Sequence, residues 1–79
     1  MNVIFVQLRC KPGTTYEVAD ALYEKEIVSQ LFSTSGEWDL LAQFYPPTGV
    51  DVGKWVNDNV LTIDNIERSL TTLTFKAFL

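Results

Sequence analysis

The sequence contains no histidine and a single cysteine, Cys10, among its 79 residues. A lone cysteine cannot form a disulfide within the chain, and the usual ligands of a structural metal are missing as well. A chain of this length buries only about 60% of the surface that its unfolded form exposes. Since neither a disulfide nor a metal stabilises so small a core, we predict that the chain associates with itself, without a cofactor.

Basic residues are also scarce. The chain has 6 lysines and arginines against 10 acidic residues, which gives a net charge of -4, and the basic residues are scattered. Binding of DNA or RNA requires a concentrated basic patch, so we predict no direct contact with nucleic acid. The sequence has no run of roughly 20 apolar residues to span a bilayer and no signal peptide. We therefore predict a cytoplasmic protein without membrane contact, which suits an unpaired cysteine.

The sequence does contain apolar segments separated by proline and glycine. Hydrophobic residues make up 47% of the chain and charged residues 20%, which is typical of a folded globular domain. β-Branched and aromatic residues predict a first strand over residues 2–10, which Pro12 and Gly13 end. Thr14 and Glu17 have the spacing of a capping box, and the apolar residues after them predict a first helix.

The remainder of the chain predicts two strands, a helix and a last strand. Residues 26–35 and 38–45 are rich in strand formers and lie close enough to pair as a hairpin. Residues 66–79 alternate as a long final strand. Between them, Asp51 precedes one apolar helix face, which consists of Val52, Trp55, Val56 and Val60. The order βαββαβ predicts an α+β, ferredoxin-like fold for residues 1–79, a single domain whose four-stranded antiparallel sheet carries two helices on one face.

Apolar residues occur on both faces of the predicted sheet. In the first strand Val3 and Phe5 point away from the apolar set that begins at Ile4, and Leu41 and Tyr45 do the same in the third strand. Because two helices cover one face only, the second face is expected to meet another copy of the chain. We predict a two-fold dimer, a dimeric α+β barrel, with Val3, Phe5, Leu41 and Tyr45 at its interface.

The stretch STSGEWDLLAQF, residues 33–44, carries the most specific signal. It resembles the V-T-G-x-[YF]-D-hydrophobic pattern of the effector-binding domain, or RAM domain, of the Lrp/AsnC transcription regulators. The KPG after the first strand and the closing IERSLTTLTF are similar to that family too. Ser35 stands where the family usually has threonine, and Trp38 stands where tyrosine or phenylalanine is commoner.

The resemblance implies a stand-alone ligand-sensing domain without the helix-turn-helix of full-length relatives. Family members form dimers, often four in a ring, and bind amino acids or related small metabolites near the turn between the second and third strands. For this chain the resemblance implies an amino acid as ligand, and a homodimer or octamer as the assembly. It also implies co-assembly with a full-length Lrp/AsnC regulator, and modulation of transcription or amino-acid metabolism.

An amino acid presents an ammonium and a carboxylate, so its site needs one charged acceptor and several donors. Asp39 is the candidate for the ammonium, and N–H groups of the turn are candidates for the carboxylate. Gly36 permits close approach of the backbone. The predicted ligand-binding residues are Ser35, Gly36, Glu37, Trp38, Asp39, Thr71 and Thr72. We predict no catalytic residues and no enzymatic activity.

Each of these residues also has a structural interpretation. Asp39 would cap the turn, Gly36 would permit it, Trp38 would pack at an interface, and the threonines would favour a strand. Two other functions are open from the sequence: a small dimeric α+β barrel enzyme of the monooxygenase or isomerase type, and an ACT-like amino-acid-binding module. The lack of histidine and of an acid–base pair argues against the enzyme. The position of the Gly-x-Trp-Asp element in the central hairpin favours the RAM domain over the ACT-like module.

Overall fold

The structure is a computed structural model, and it describes residues 2–79. Its elements follow the order β1 (Ile4–Cys10), α1 (Thr15–Glu24), β2 (Val28–Ser33), β3 (Leu40–Phe44), α2 (Val52–Asn59) and β4 (Ile66–Leu73). This order confirms the predicted βαββαβ arrangement and the ferredoxin-like α+β fold. Within residues 2–79, neither helix is long and apolar enough to cross a membrane.

The four strands form one antiparallel sheet in the order β2-β3-β1-β4. β1 is central and pairs with β3 on one side and β4 on the other, so that Ile4 lies between Phe44 and Leu73. β2 and β3 form the predicted hairpin. The register of β1 against β4 shifts between Arg9 and Cys10, at the end of β1.

The core lies between one face of this sheet and both helices. Alternate residues of β1 and β3 are buried there, which is the pattern of strands with one face against a core. Phe44 and Trp55 pack edge to face, with ring centroids 5.7 Å apart. Trp55 is partly buried, and the buried apolar residues besides Phe44 are Ile4, Val6, Leu8, Cys10, Val18, Leu22, Leu40, Ala42, Val56 and Val60. Both helices therefore cover the same face, as the sequence predicts.

The two helices begin in different ways. Asp51 is the N-cap of α2, and its Oδ1 accepts the N–H of Lys54 at 3.1 Å, in agreement with its predicted place. Thr14 is the N-cap of α1, but its side chain makes no capping bond. Its Oγ1 donates instead to the carbonyl of Lys11 at 2.7 Å. The predicted capping box is therefore wrong. The backbone of Thr14, with φ of -112° and ψ of 3°, is not in the extended conformation of a capping residue, and its side chain accepts no N–H of the first turn.

The last strand is shorter than the sequence predicts. β4 ends at Leu73, and residues 74–79 have no regular secondary structure, so the prediction of a strand to Leu79 is wrong. Leu73 pairs with Ile4, the first residue of β1, so β1 offers no partner beyond that point. Thr74 still donates its hydroxyl to the carbonyl of Val3 at 2.6 Å. Alternating apolar residues do not form a strand without a neighbouring one.

Apolar side chains also lie on the second face of the sheet, which we call the open face. Phe5 and Leu41 are half-buried there, and Leu70 is 49% exposed and pairs with Gln7. Val3, half-buried, precedes β1, and Tyr45, largely exposed, follows β3. The predicted distribution of apolar residues over both faces is thus confirmed, while the dimer interface itself stays a prediction.

Candidate functional site

The turn between β2 and β3 is closed by hydrogen bonds across its base. The N–H of Thr34 donates to the Asp39 carbonyl at 3.0 Å, and the Thr34 hydroxyl donates to the Trp38 carbonyl at 2.9 Å. Gly36 lies at the tip with φ of 89°, a conformation that strains other residues. Apart from Gly36 itself and its two chain neighbours, no described residue has an atom within 4 Å of the place where a Cβ would stand. The backbone conformation, and not a lack of space, therefore requires glycine there.

Asp39 joins this turn to the end of β1. Its N–H donates to the Leu8 carbonyl at 2.9 Å, and its Oδ2 accepts the N–H of Cys10 at 2.8 Å. From the sequence, Asp39 was expected to cap the turn by accepting one of its N–H groups. Its carboxylate does accept a backbone N–H, but that N–H belongs to β1 and not to the turn. A carboxylate accepts hydrogen bonds at both oxygens. Within residues 2–79, Asp39 Oδ1 receives no hydrogen bond and is available to a ligand.

A shallow depression of about 350 Å³ lies beside Asp39, between the turn and the start of α1. This is within the size range of small-molecule sites. The N-terminus of α1 carries a partial positive charge, and this charge favours a carboxylate in or beside the depression. The depression thus combines one formal negative charge with several hydroxyl groups, and the residues around Asp39 that line it are Gly13, Thr15, Tyr16, Ser33 and Thr34.

The thiol of Cys10 lies near Asp39 and Thr15, two of the residues that line this depression. Burial raises the pKa of Cys10, and the negative charge of Asp39 raises it further. The thiol is therefore protonated at neutral pH, and a protonated, buried thiol is a poor nucleophile. This agrees with the structural role of a small apolar residue at the end of β1.

Two arginines lie beside the turn at the end of the sheet. Arg9 of β1 pairs directly with Arg68 of β4. Arg9 Nη1 donates to the Glu37 carbonyl at 2.7 Å, and Arg68 Nη1 lies 3.1 Å from Glu37 Oε1. The guanidinium carbon of Arg68 is 5.4 Å from the ring centroid of Trp38, within the range of a cation–π contact. Glu37 and Trp38 thus contact the sheet and do not line the depression.

This arginine pair was not predicted from the sequence, in which the basic residues are scattered. The signal that would have found it is the predicted antiparallel order of the first and last strands. In that order the end of the first strand meets the start of the last one, where Arg9 and Arg68 stand.

Thr71 and Thr72 lie on opposite faces of the sheet. Thr71 pairs with Val6 and Thr72 with Phe5, whereas the turn contacts β1 at Leu8 and the residues after it. The prediction that these threonines adjoin the turn is therefore wrong within one chain. The start of β4, and not its centre, lies next to the turn. A role of the two threonines in ligand binding stays a prediction, as does that of the exposed tip residues Ser35 and Gly36.

Comparison with known families identifies the kind of domain that carries this turn. Residues 3–79 match the model of the Lrp/AsnC ligand binding domain. The chain belongs to this family. The Lrp/AsnC assignment agrees with the resemblance of residues 33–44 and decides against an ACT-like module.

Solved structures show the same Lrp/AsnC fold. TTHA0845 from Thermus thermophilus is 25% identical with a TM-score of 0.88, and the match covers 100% of this chain and 99% of that one. AsnC from E. coli is 14% identical with a TM-score of 0.87, over 99% of this chain and 53% of AsnC. The complex of the transcriptional regulator NMB0573 with L-Met, from Neisseria meningitidis, is 20% identical with a TM-score of 0.77.

The match to NMB0573 covers 99% of this chain and 52% of the regulator, so the chain spans about half the length of both NMB0573 and AsnC. A search of curated proteins finds no significant match. The solved structures therefore support the fold, and the matched family is that of a ligand-binding domain.

Proposed function

We propose that this domain binds an amino acid, or a closely related zwitterion, in the depression beside Asp39, and that it senses this ligand without catalysing a reaction. The observation that carries the proposal is the free Oδ1 of Asp39 next to a group of hydroxyl donors. Membership of a ligand-binding family supports it. The domain would modulate transcription or amino-acid metabolism from the cytoplasm.

Asp39 is suited to hold the ligand's ammonium. Its Oδ2 is already bound to the N–H of Cys10, so the carboxylate is held in place before the ligand arrives. Such preorganisation lowers the entropy cost of binding. A hydrogen bond to a charged group contributes roughly 1.5–3 kcal/mol, which is a large part of a micromolar to millimolar affinity.

The ligand's carboxylate has two sets of donors available. The hydroxyls of Thr15 and Ser33 line the depression, whereas the Thr34 hydroxyl already donates its hydrogen to the Trp38 carbonyl. The turn N–H groups of residues 35–37 form the second set, and they donate to no other group within residues 2–79. Because these tip residues are exposed and lie outside the lining of the depression, we propose that they contact a ligand that bridges to a neighbouring protomer.

We infer that the sensing unit is a dimer formed through the open face. Phe5, Leu41 and Leu70 present apolar surface there that neither helix covers. Uncovered apolar surface of this kind commonly marks an interface, and two-fold dimers are the commonest solution. Stacking of two open faces would form the dimeric α+β barrel. A ring of four dimers and co-assembly with a full-length Lrp/AsnC regulator are further proposals that rest on the family alone.

The proposal is tested by thermal unfolding against a panel of amino acids, each paired with its deaminated acid. A ligand at one hundred times its Kd stabilises the folded state by about 2.7 kcal/mol. We expect at least one amino acid to raise the Tm of the wild type, its deaminated acid to have little effect, and Asp39→Asn to remove the response. Asparagine still accepts the N–H of Cys10, so the variant keeps the fold and loses the charge.

The matched control is Asp20→Asn, which removes the same charge from an exposed position on α1. This variant is expected to respond as the wild type does. An unchanged response in Asp39→Asn, or equal binding of the deaminated acid, would place the ammonium elsewhere.

A further inference from the structure

The pairing of Arg9 with Arg68 is unfavourable by itself. Like charges directly opposite each other on neighbouring strands repel. The two side chains are compensated by a single carboxylate, that of Glu37, which lies 3.1 Å from Arg68 Nη1. The three groups together carry one excess positive charge, on a chain whose net charge is -4. A second anion would balance this cluster.

Within residues 2–79, most hydrogen-bond donors of the arginine pair have no partner. A guanidinium has five N–H donors in a fixed plane. In Arg9 the contact is from Nη1 to the Glu37 carbonyl, and in Arg68 it is from Nη1 to Glu37 Oε1. The side chain of Arg68 is 63% exposed. The Trp38 ring lies against its guanidinium, which favours a defined orientation for the donors.

We propose that Arg9 and Arg68 form an anion-binding site for the carboxylate or phosphate group of a small metabolite. Guanidinium groups bind both kinds of oxyanion through paired N–H···O bonds. The pair does not line the depression beside Asp39, so the turn separates two sites that prefer opposite charges. The anion site does not depend on the proposed amino-acid site, since the two share no side chain. Both arginines lie on the open face, two residues along their strands from Gln7 and Leu70, so the anion site adjoins the proposed dimer interface.

Glu37 occupies part of this site in the chain without a ligand. Its ion pair with Arg68 is exposed on both sides, at 63% and 56%, and exposed ion pairs are weak. An incoming oxyanion would take the place of the Glu37 carboxylate on Arg68. Removal of the Glu37 charge should therefore strengthen anion binding, while removal of either arginine should weaken it.

The experiment is isothermal titration calorimetry with citrate and with inorganic phosphate, at an ionic strength held constant with chloride. We expect Glu37→Gln to bind the preferred anion about fivefold more tightly than the wild type, and Arg9→Gln and Arg68→Gln to bind it about fivefold more weakly. Arg68→Lys keeps the charge without the paired donors, and we expect it to bind as weakly as Arg68→Gln. A preference for citrate identifies a carboxylate ligand, and a preference for phosphate identifies a phosphorylated one.

The ion pair of Lys54 with Asp58 on α2 provides matched controls, since its atoms are 3.2 Å apart and its side chains are 75% and 58% exposed. Asp58→Asn and Lys54→Gln change the net charge by the same amounts as the variants at the site, and we expect neither to alter anion affinity. The proposal is overturned if Asp58→Asn acts as strongly as Glu37→Gln. It is also overturned if the arginine variants bind as the wild type does, or if neither the wild type nor Glu37→Gln binds an anion.

Discussion

At the residue scale, Asp39 combines a structural contact with the position proposed for the ligand's ammonium. One oxygen holds the N–H of Cys10, where the register of β1 against β4 shifts, and the other faces no protein donor within residues 2–79. The same carboxylate helps to raise the pKa of the Cys10 thiol, although burial is the larger cause. The hydrogen bond at the end of β1 and the proposed ligand contact thus involve the same side chain.

The pKa of Cys10 predicts how stability changes in alkaline solution. The thiol of the unfolded chain loses its proton first as the pH rises, and the folded chain keeps it to a higher pH. Between the two pKa values the folded state binds more protons, so the free energy of unfolding falls with rising pH. We expect this fall to be smaller in Cys10→Ala, measured by urea unfolding from neutral to alkaline pH. Parallel curves for the two proteins would show that the pKa of Cys10 is not raised.

Asp39 and Gly36 were recognisable from the sequence because a local pattern, Gly-x-Trp-Asp, contains both. Arg9 and Arg68 were not, because they are 59 residues apart in number and meet only through the register of two strands. Register depends on the packing of the whole sheet, and a shift by one residue would turn one of these side chains to the other face. The arginine pair is therefore a product of the tertiary fold.

At the element scale, two glycines differ in backbone conformation, so alanine in their place is expected to have different effects on stability. Gly36 in the β2–β3 turn has φ of 89°, whereas Gly53 lies in the first turn of α2, where glycine is a poor helix former. A Cβ at Gly53 would meet Asp51 Oδ1 at 3.5 Å, an ordinary contact.

We predict opposite effects of alanine at these two positions. Gly36→Ala should destabilise the fold by about 1 kcal/mol, because alanine is strained at positive φ. Gly53→Ala should stabilise it by about 0.5–1 kcal/mol, because alanine loses less backbone entropy in a helix. Urea unfolding of both variants measures the two shifts. A neutral or stabilising Gly36→Ala would mean that the turn does not require the left-handed conformation.

The presence of each strand and helix was predicted more accurately than the residues at which it begins and ends. Strands and helices were predicted from periodicity and from Pro12 and Gly13, and all six elements are present. The end of β4 was mispredicted because it depends on where β1 begins and not on the alternation within residues 66–79. Thr14 is the N-cap of α1 as predicted, but its capping bond was mispredicted, because that bond depends on the backbone conformation of Thr14.

At the scale of the whole molecule, the apolar side chains of the open face predict that two chains associate through this face. Leu70 projects from this face and is 49% exposed. Leu70→Glu would place a charge in the proposed dimer interface, which is costly without a partner. We predict that this variant sediments as a smaller species than the wild type at equal concentration. Tyr23→Glu, on α1 at a position 77% exposed, is the control and should sediment as the wild type does. Equal masses for all three proteins would contradict a dimer through the open face.

The central claim, an amino-acid site beside Asp39, is tested most directly by an amide chemical-shift titration of the folded domain with the amino acid that stabilises it. We expect the perturbed amides to cluster at residues 13–16 and 33–39 and to include the N–H of Cys10, which reports on Asp39 through its hydrogen bond. Perturbations confined to the opposite end of the sheet, around Pro46, Pro47 and Leu73, would contradict it.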